Sequence, residues 1–95
     1  MQNIVEDVID CFEKIGYVTK EGTFSLNTVY QMYSDYVQGY WELCLKSGYI
    51  QKIRNMPNGK DYYDQTEWLY KILKRKYDIK ELNGEELKEF CLAEL

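Results

Sequence analysis

Histidine is absent from this chain of 95 residues. That excludes imidazole general bases, Ser-His and Cys-His nucleophile pairs, and histidine metal ligands together. Proline occurs once, at Pro57, so almost no backbone position is barred from regular structure. Cysteine occurs three times, at Cys11, Cys44 and Cys91, an odd number at wide spacing with no C-x-x-C. Neither a disulfide framework nor a thiolate zinc site is expected from that pattern. Apolar runs fall far short of the ~20 residues a membrane span requires. The first ten residues carry acids rather than the basic n-region of a signal peptide. Gly-x-Gly and Walker patterns are missing. Asp7 with Asp10, and Glu85 with Glu86 and Glu89, look like helix-surface charge rather than a catalytic or metal-binding set. The expectation is a cytoplasmic, non-enzymatic protein that uses no metal or cofactor and does not enter membranes.

What is present points to a folded chain. Hydrophobic residues make up 45% and aromatics 16%, ten of them tyrosine, which is too rich for a disordered segment. The length suits one domain, residues 1–95, with its core within 3–77. The net charge of −4 is unevenly distributed. Residues 1–45 hold two bases against seven acids, residues 46–80 nine bases against four acids, and residues 81–95 one base against five acids. The basic middle can gather into a positive patch, or each stretch can be the solvated face of its own element.

Ile4, Val5, Val8, Ile9, Phe12 and Ile15 recur at three- and four-residue steps. They predict a first helix over Asn3–Gly16, with Asn3 as N-cap and Gly16 as its stop. Residues 17–24 form a connection with room for a small strand. Ser25 caps a second helix facing inward through Leu26, Val29, Tyr30 and Tyr33. Ser34 and Asp35 are expected to break it, since both side chains compete for nearby backbone N–H groups. A third helix, 35–47, then carries Val37, Trp41, Cys44 and Leu45 inward and ends at Gly48, a helix-turn-helix pattern. Residues 49–54 suit a strand. Pro57-Asn58-Gly59 suits a reversal, and residues 60–65 an antiparallel return. Thr66 caps a fourth helix that buries Trp68, Leu69, Ile72, Leu73 and Tyr77. Asn83 caps a fifth, 84–94, with Leu87, Phe90 and Cys91 on one face.

In this order the chain resembles the winged helix-turn-helix family, including MarR- and PadR-type regulators. The resemblance is carried by Trp41 and Cys44 at leucine-like places, then Lys46-Ser47-Gly48-Tyr49-Ile50, a turn, and Tyr63-Asp64-Gln65-Thr66 before an apolar helix. Gln65 and Leu69 depart from the family pattern. The fold class implied is mainly α with a small β-hairpin: about five helices and a two- or three-stranded wing. The resemblance implies a DNA-binding transcriptional regulator that uses helix 35–47 in the major groove and the wing, 50–65, on the backbone of double-stranded DNA. Tyr36, Gln38, Tyr40, Leu43 and Ser47 would face outward. Gln38 would read adenine, and Tyr36 or Tyr40 would bond a phosphate oxygen. Lys46, Lys52, Arg54 and Lys60 would supply phosphate charge, with Asn55 and Asn58 as polar wing contacts.

Electrostatics opposes this. A pI near 4.8 is low for a nucleic-acid domain, and Glu42 falls on or beside the supposed reading face. The alternative is a small acidic protein-interaction module on the same scaffold, with Tyr36, Tyr40 and Leu43 as its contact face. A phage or mobile-element inhibitor of a host protein is one form it would take. The steps between Tyr30, Tyr33, Tyr36 and Tyr40 suit a base-stacking platform, but ordinary core packing explains them more simply. Leu87, Phe90, Cys91 and Leu95 are candidates for a homodimer interface, or pack back on the first helix.

Overall fold

Helical periodicity prevails wherever the described residues, 4–94 of this computed structural model, are regular. The helices are α1 (Ile4–Lys20), α2 (Leu26–Lys46), α3 (Tyr49–Arg54), α4 (Asp64–Lys76) and α5 (Gly84–Glu94). There is no strand among the described residues. The expected wing, and with it the winged-helix class, is therefore corrected to an all-helical fold. Asn3, the expected cap of α1, and Leu95, a dimerisation candidate, lie outside the described residues.

The wing fails for a local reason. Gly48 does end α2 in the left-handed region (φ 81°), but the chain re-enters a helix at once, and the Lys52 N–H bonds the Gly48 carbonyl at 3.0 Å. Ile50 and Ile53 lie three apart, so one turn of helix turns both toward the core that two facing strands would have had to share. The Asn58-Gly59 reversal does form, with Asn58 at φ 62°. It folds back on α3 rather than into a ribbon. Gly59 is buried so closely over the Ile53 carbonyl that a Cβ there would collide with it. Arg54 locks the loop by donating from Nε to the Tyr62 carbonyl at 2.9 Å.

The helix-turn-helix expected at Ser34-Asp35 is also corrected, because α2 runs unbroken through both residues for 21 residues. The helix penalty of Ser or Asp is well under ~1 kcal/mol. Continuity keeps Val29, Val37, Trp41 and Cys44, each about 1% exposed, on one buried stripe. Gly16 does not stop α1 either. The stop is Gly22 (φ 89°), where the Thr23 N–H reaches back to the Val18 carbonyl at 2.9 Å.

Three helices make the core, with α4 packed on both α1 and α2 and those two on each other, while α3 and α5 attach to α2. Two capping assignments hold in detail. Ser25 Oγ accepts from the Thr28 N–H at 3.1 Å. Asn83 and Glu86 form a reciprocal capping box, each accepting the other's backbone N–H. Thr66 starts no helix; it is fully buried inside the first turn of α4. Glu13 of α1 accepts from its N–H at 2.8 Å and its hydroxyl at 3.0 Å, so a carboxylate from another helix does the capping.

Candidate interaction surface

The residues expected to read DNA differ in exposure. On α2, Gln38 and Tyr40 are buried, Leu43 is half-buried, and Tyr36, Lys46 and Ser47 are exposed. Tyr40 meets Phe12 on one side and Phe90 of α5 on the other, in edge contacts at 6.3 and 5.1 Å between ring centroids. Phe90 lies over Gly39 so tightly that a Cβ there would overlap its ring. Of the dimerisation candidates, Leu87 is buried, and Phe90, which packs on α2, and Cys91 are half-buried.

Glu42 is the most consequential polar residue of this helix. Only 3% exposed, its carboxylate accepts from the Tyr70 hydroxyl at 2.8 Å, from Gln38 Nε2 at 3.1 Å and from the Leu82 N–H at 2.8 Å. Gln38 Nε2 also donates to the Lys80 carbonyl, and Lys46 Nζ to the Leu82 carbonyl at 3.0 Å. These bonds strap the segment between α4 and α5 to α2. Burial, then the bond to Glu42, hold the Tyr70 phenol well above its ordinary pKa.

The basic middle of the chain spends much of its charge internally. Arg54 donates to Glu67 at 2.9 Å and to Asp64 at 3.4 Å, and lies over the Trp41 ring. Lys71 pairs with Glu67 at 2.8 Å and Lys74 with Glu81 at 3.1 Å. The Lys71 bond, then Arg54, hold the Glu67 carboxyl below its usual value against the opposing effect of burial. Of the expected wing cations, Lys52 and Lys60 remain exposed on α3 and the following loop, with Asn58 at the turn.

A second surface, along α1, combines acids with exposed tyrosines. Glu6, Asp10, Glu13 and Tyr17 follow one another at steps of four, three and four, one stripe along α1. Beside it runs the stretch Asp61–Gln65. Glu6, Asp10, Glu13, Asp61, Tyr62 and Tyr63 line a groove of about 340 Å³. Glu13, Lys14, Tyr17, Val18 and Gln65 line a shallow, mostly apolar depression of about 500 Å³ that adjoins it at the shared Glu13. Tyr17 and Tyr62 are both more than half exposed. Tyr63 (φ 67°) is buried beneath, its ring stacked 6.4 Å from Tyr49. Burial, the hydrogen bond with Tyr49 and the charges of Asp10 and Glu6 raise its phenol pKa far above the ordinary value. Gln65 Oε1, in the wall of the depression, is a buried acceptor without a hydrogen-bond partner among the described residues. The stripe on α1 is visible in the sequence. Its neighbour is not, because Glu6 and Asp61 are brought together only by the packing of α1 on α4.

Among the described residues no group of three or more Cys, Asp or Glu side chains converges to hold a metal, and no helix is long and apolar enough to cross a membrane. The thiols differ sharply. Cys44 is 1% exposed and burial pushes its pKa up to about 11, whereas Cys11 is exposed. At pH 8 a chromogenic disulfide reagent is expected to modify Cys11 in the native protein and Cys44 only after unfolding. Rapid native-state modification of Cys44 would show that α2 leaves the core. Comparison with protein-family models, with curated proteins and with solved structures returned no match to this chain.

Proposed function

We propose that this chain is a protein-interaction module that holds a partner along α1 and the adjoining stretch 61–65. The observation that carries this is the exposure of two large tyrosines, Tyr62 on a groove lined by carboxylates and Tyr17 on an apolar depression that adjoins it at Glu13. Tyrosine is suited to such surfaces because its ring buries apolar area while its hydroxyl stays bonded. The module needs no catalytic group, and it would work in the cytoplasm. Double-stranded DNA draws less support as the partner. The strand pair meant to touch its backbone is a helix and a turn, Gln38 and Tyr40 are buried, and Arg54 is already paired.

Photo-crosslinking amino acids placed at Tyr17, at Tyr62 and at Arg75 on the exposed part of α4 test the assignment. The partner identified at positions 17 and 62 should bind the purified module directly and should not crosslink from position 75. Equal crosslinking from all three positions, or salt-dependent binding of mixed duplex DNA at about 50 mM salt, would reject the surface.

A further inference from the structure

Resting on that proposed function, we infer that the occupant of the α1/61–65 depression is an extended protein segment that presents a cationic side chain at one end and an apolar side chain a few residues away. The chemistry of the depression is polar at one end and apolar at the other. Toward the N-terminal end of α1, Glu6, Asp10 and Asp61 line one groove, and neither aspartate carboxylate is engaged in a hydrogen bond or ion pair among the described residues. The groove's lining contains no cation. At the other end Tyr17 and Val18 form an apolar floor, bordered by Lys14. A lining whose only charged groups are carboxylates favours a cation, and the exposed ring of Tyr62 in the same groove adds a face on which a guanidinium stacks. The direction comes from Glu6 and Asp61, which line only the polar end, while Lys14 lies between the ends, one helical turn from both Asp10 and Val18.

The helix sets the spacing. At ~1.5 Å per residue, Tyr17 lies about 10 Å along the axis from Asp10 and about 16 Å from Glu6. An extended chain advances ~3.3 Å per residue, so the cation and the apolar anchor of the partner should be about three to five residues apart. Gln65 Oε1 is in the same wall, an acceptor that a backbone N–H of such a segment satisfies after a side-chain rotation.

The test uses the full chain and a fluorescein-labelled synthetic peptide of about ten residues. The peptide carries two adjacent arginines and two adjacent leucines separated by four Ser/Gly residues. Controls replace the arginines with glutamine, or the leucines with serine. By fluorescence anisotropy the parent peptide should bind at 50 mM salt and weaken at higher salt, and both controls should bind less. Exposed ion pairs are individually weak, so Asp10→Asn with Asp61→Asn together should lower affinity about fivefold to tenfold and flatten the salt dependence. Lys14→Glu should raise affinity severalfold. Unchanged melting curves of these surface variants separate recognition from folding. No binding of the parent peptide, equal binding of the glutamine control, or an unaffected double variant overturns the cationic anchor. In those cases crosslinks from positions 17 and 62 still test the interaction surface itself, and their absence removes the module along with its ligand.

Discussion

Replacing Glu42 with leucine is expected to destabilise the protein by about 2–4 kcal/mol, a balance of opposed effects. Leucine abolishes the cost of burying a carboxylate, which amounts to several kcal/mol. It also strands the Tyr70 hydroxyl and the Leu82 N–H, which now donate to Glu42, at roughly 1–3 kcal/mol each, and loses the three charge-assisted bonds to the carboxylate. Gln38 keeps the Lys80 carbonyl and is spared. The loss of the strap then frees the segment that positions α5. For a domain of this size the melting temperature should fall by at least ~8 °C. Glu42→Gln should cost less, since its amide oxygen still accepts from Tyr70 while its NH2 opposes the Leu82 N–H. A double-mutant cycle of Glu42→Gln with Tyr70→Phe should show a coupling of about 0.5–2 kcal/mol. Unfolding curves of Glu42→Leu that overlay the parent would mean that water replaces the carboxylate without penalty, and the strap would have no structural role.

Gly16→Ala is the second large effect, and its sign is the informative part. Helix propensity alone favours alanine by about 1 kcal/mol at an interior helical position. The packing opposes it, because a Cβ at Gly16 would stand 2.5 Å from the Gln65 carbonyl oxygen and 2.9 Å from its carbon. Both are backbone atoms of α4, so no side-chain rotation relieves the contact. The helices must separate, stretching the Glu13 bonds to Thr66 one turn away. Overpacking of this kind costs about 1–3 kcal/mol, and weakening a charge-assisted bond adds to it. The net expectation is destabilisation by about 2–4 kcal/mol in urea titration. Gly84→Ala is the control: nothing lies within 4 Å of its Cβ position, and it should leave stability unchanged or slightly higher. A Gly16→Ala variant more stable than the parent would show that α1 and α4 do not approach so closely.

Some of this was legible residue by residue. The stripes of α1, α2 and α4 place Ile9, Phe12, Val29, Trp41 and Leu73 in the core where periodicity puts them, since a helical face is a property of spacing alone. Ser25 and Asn83 act as caps because capping needs only neighbours three residues away. The errors cluster where one local signal has two structural outcomes. Gly16 reads as a stop when its missing side chain in fact admits the backbone of another helix. Ser34-Asp35 reads as a break whose small propensity cost the burial of Val37 and Trp41 outweighs. Tyr49–Arg54 holds both an imperfect alternation and a three-residue step. Short segments of that kind take the conformation that their neighbours can cover, here α2 beneath Ile50.

The interaction surface divides in the same way. Spacing along α1 determines that Glu6, Asp10, Glu13 and Tyr17 form a single row. It does not determine that Asp61, Tyr62 and Gln65 stand opposite them, nor that Gln38, Tyr40 and Glu42 turn away from solvent. From sequence alone follow a folded, acidic, aromatic-rich chain, the stripes of α1, α2 and α4 and the caps at Ser25 and Asn83, because each stripe and cap depends on residues within about one turn of one another. The tertiary structure decided the absence of the wing, the unbroken α2 and the pairing of α1 with the loop before α4. The first two depend on which element covers Ile50, Val37 and Trp41, and the third on contacts between residues some fifty positions apart, such as Glu13 with Thr66; no local pattern records those energies.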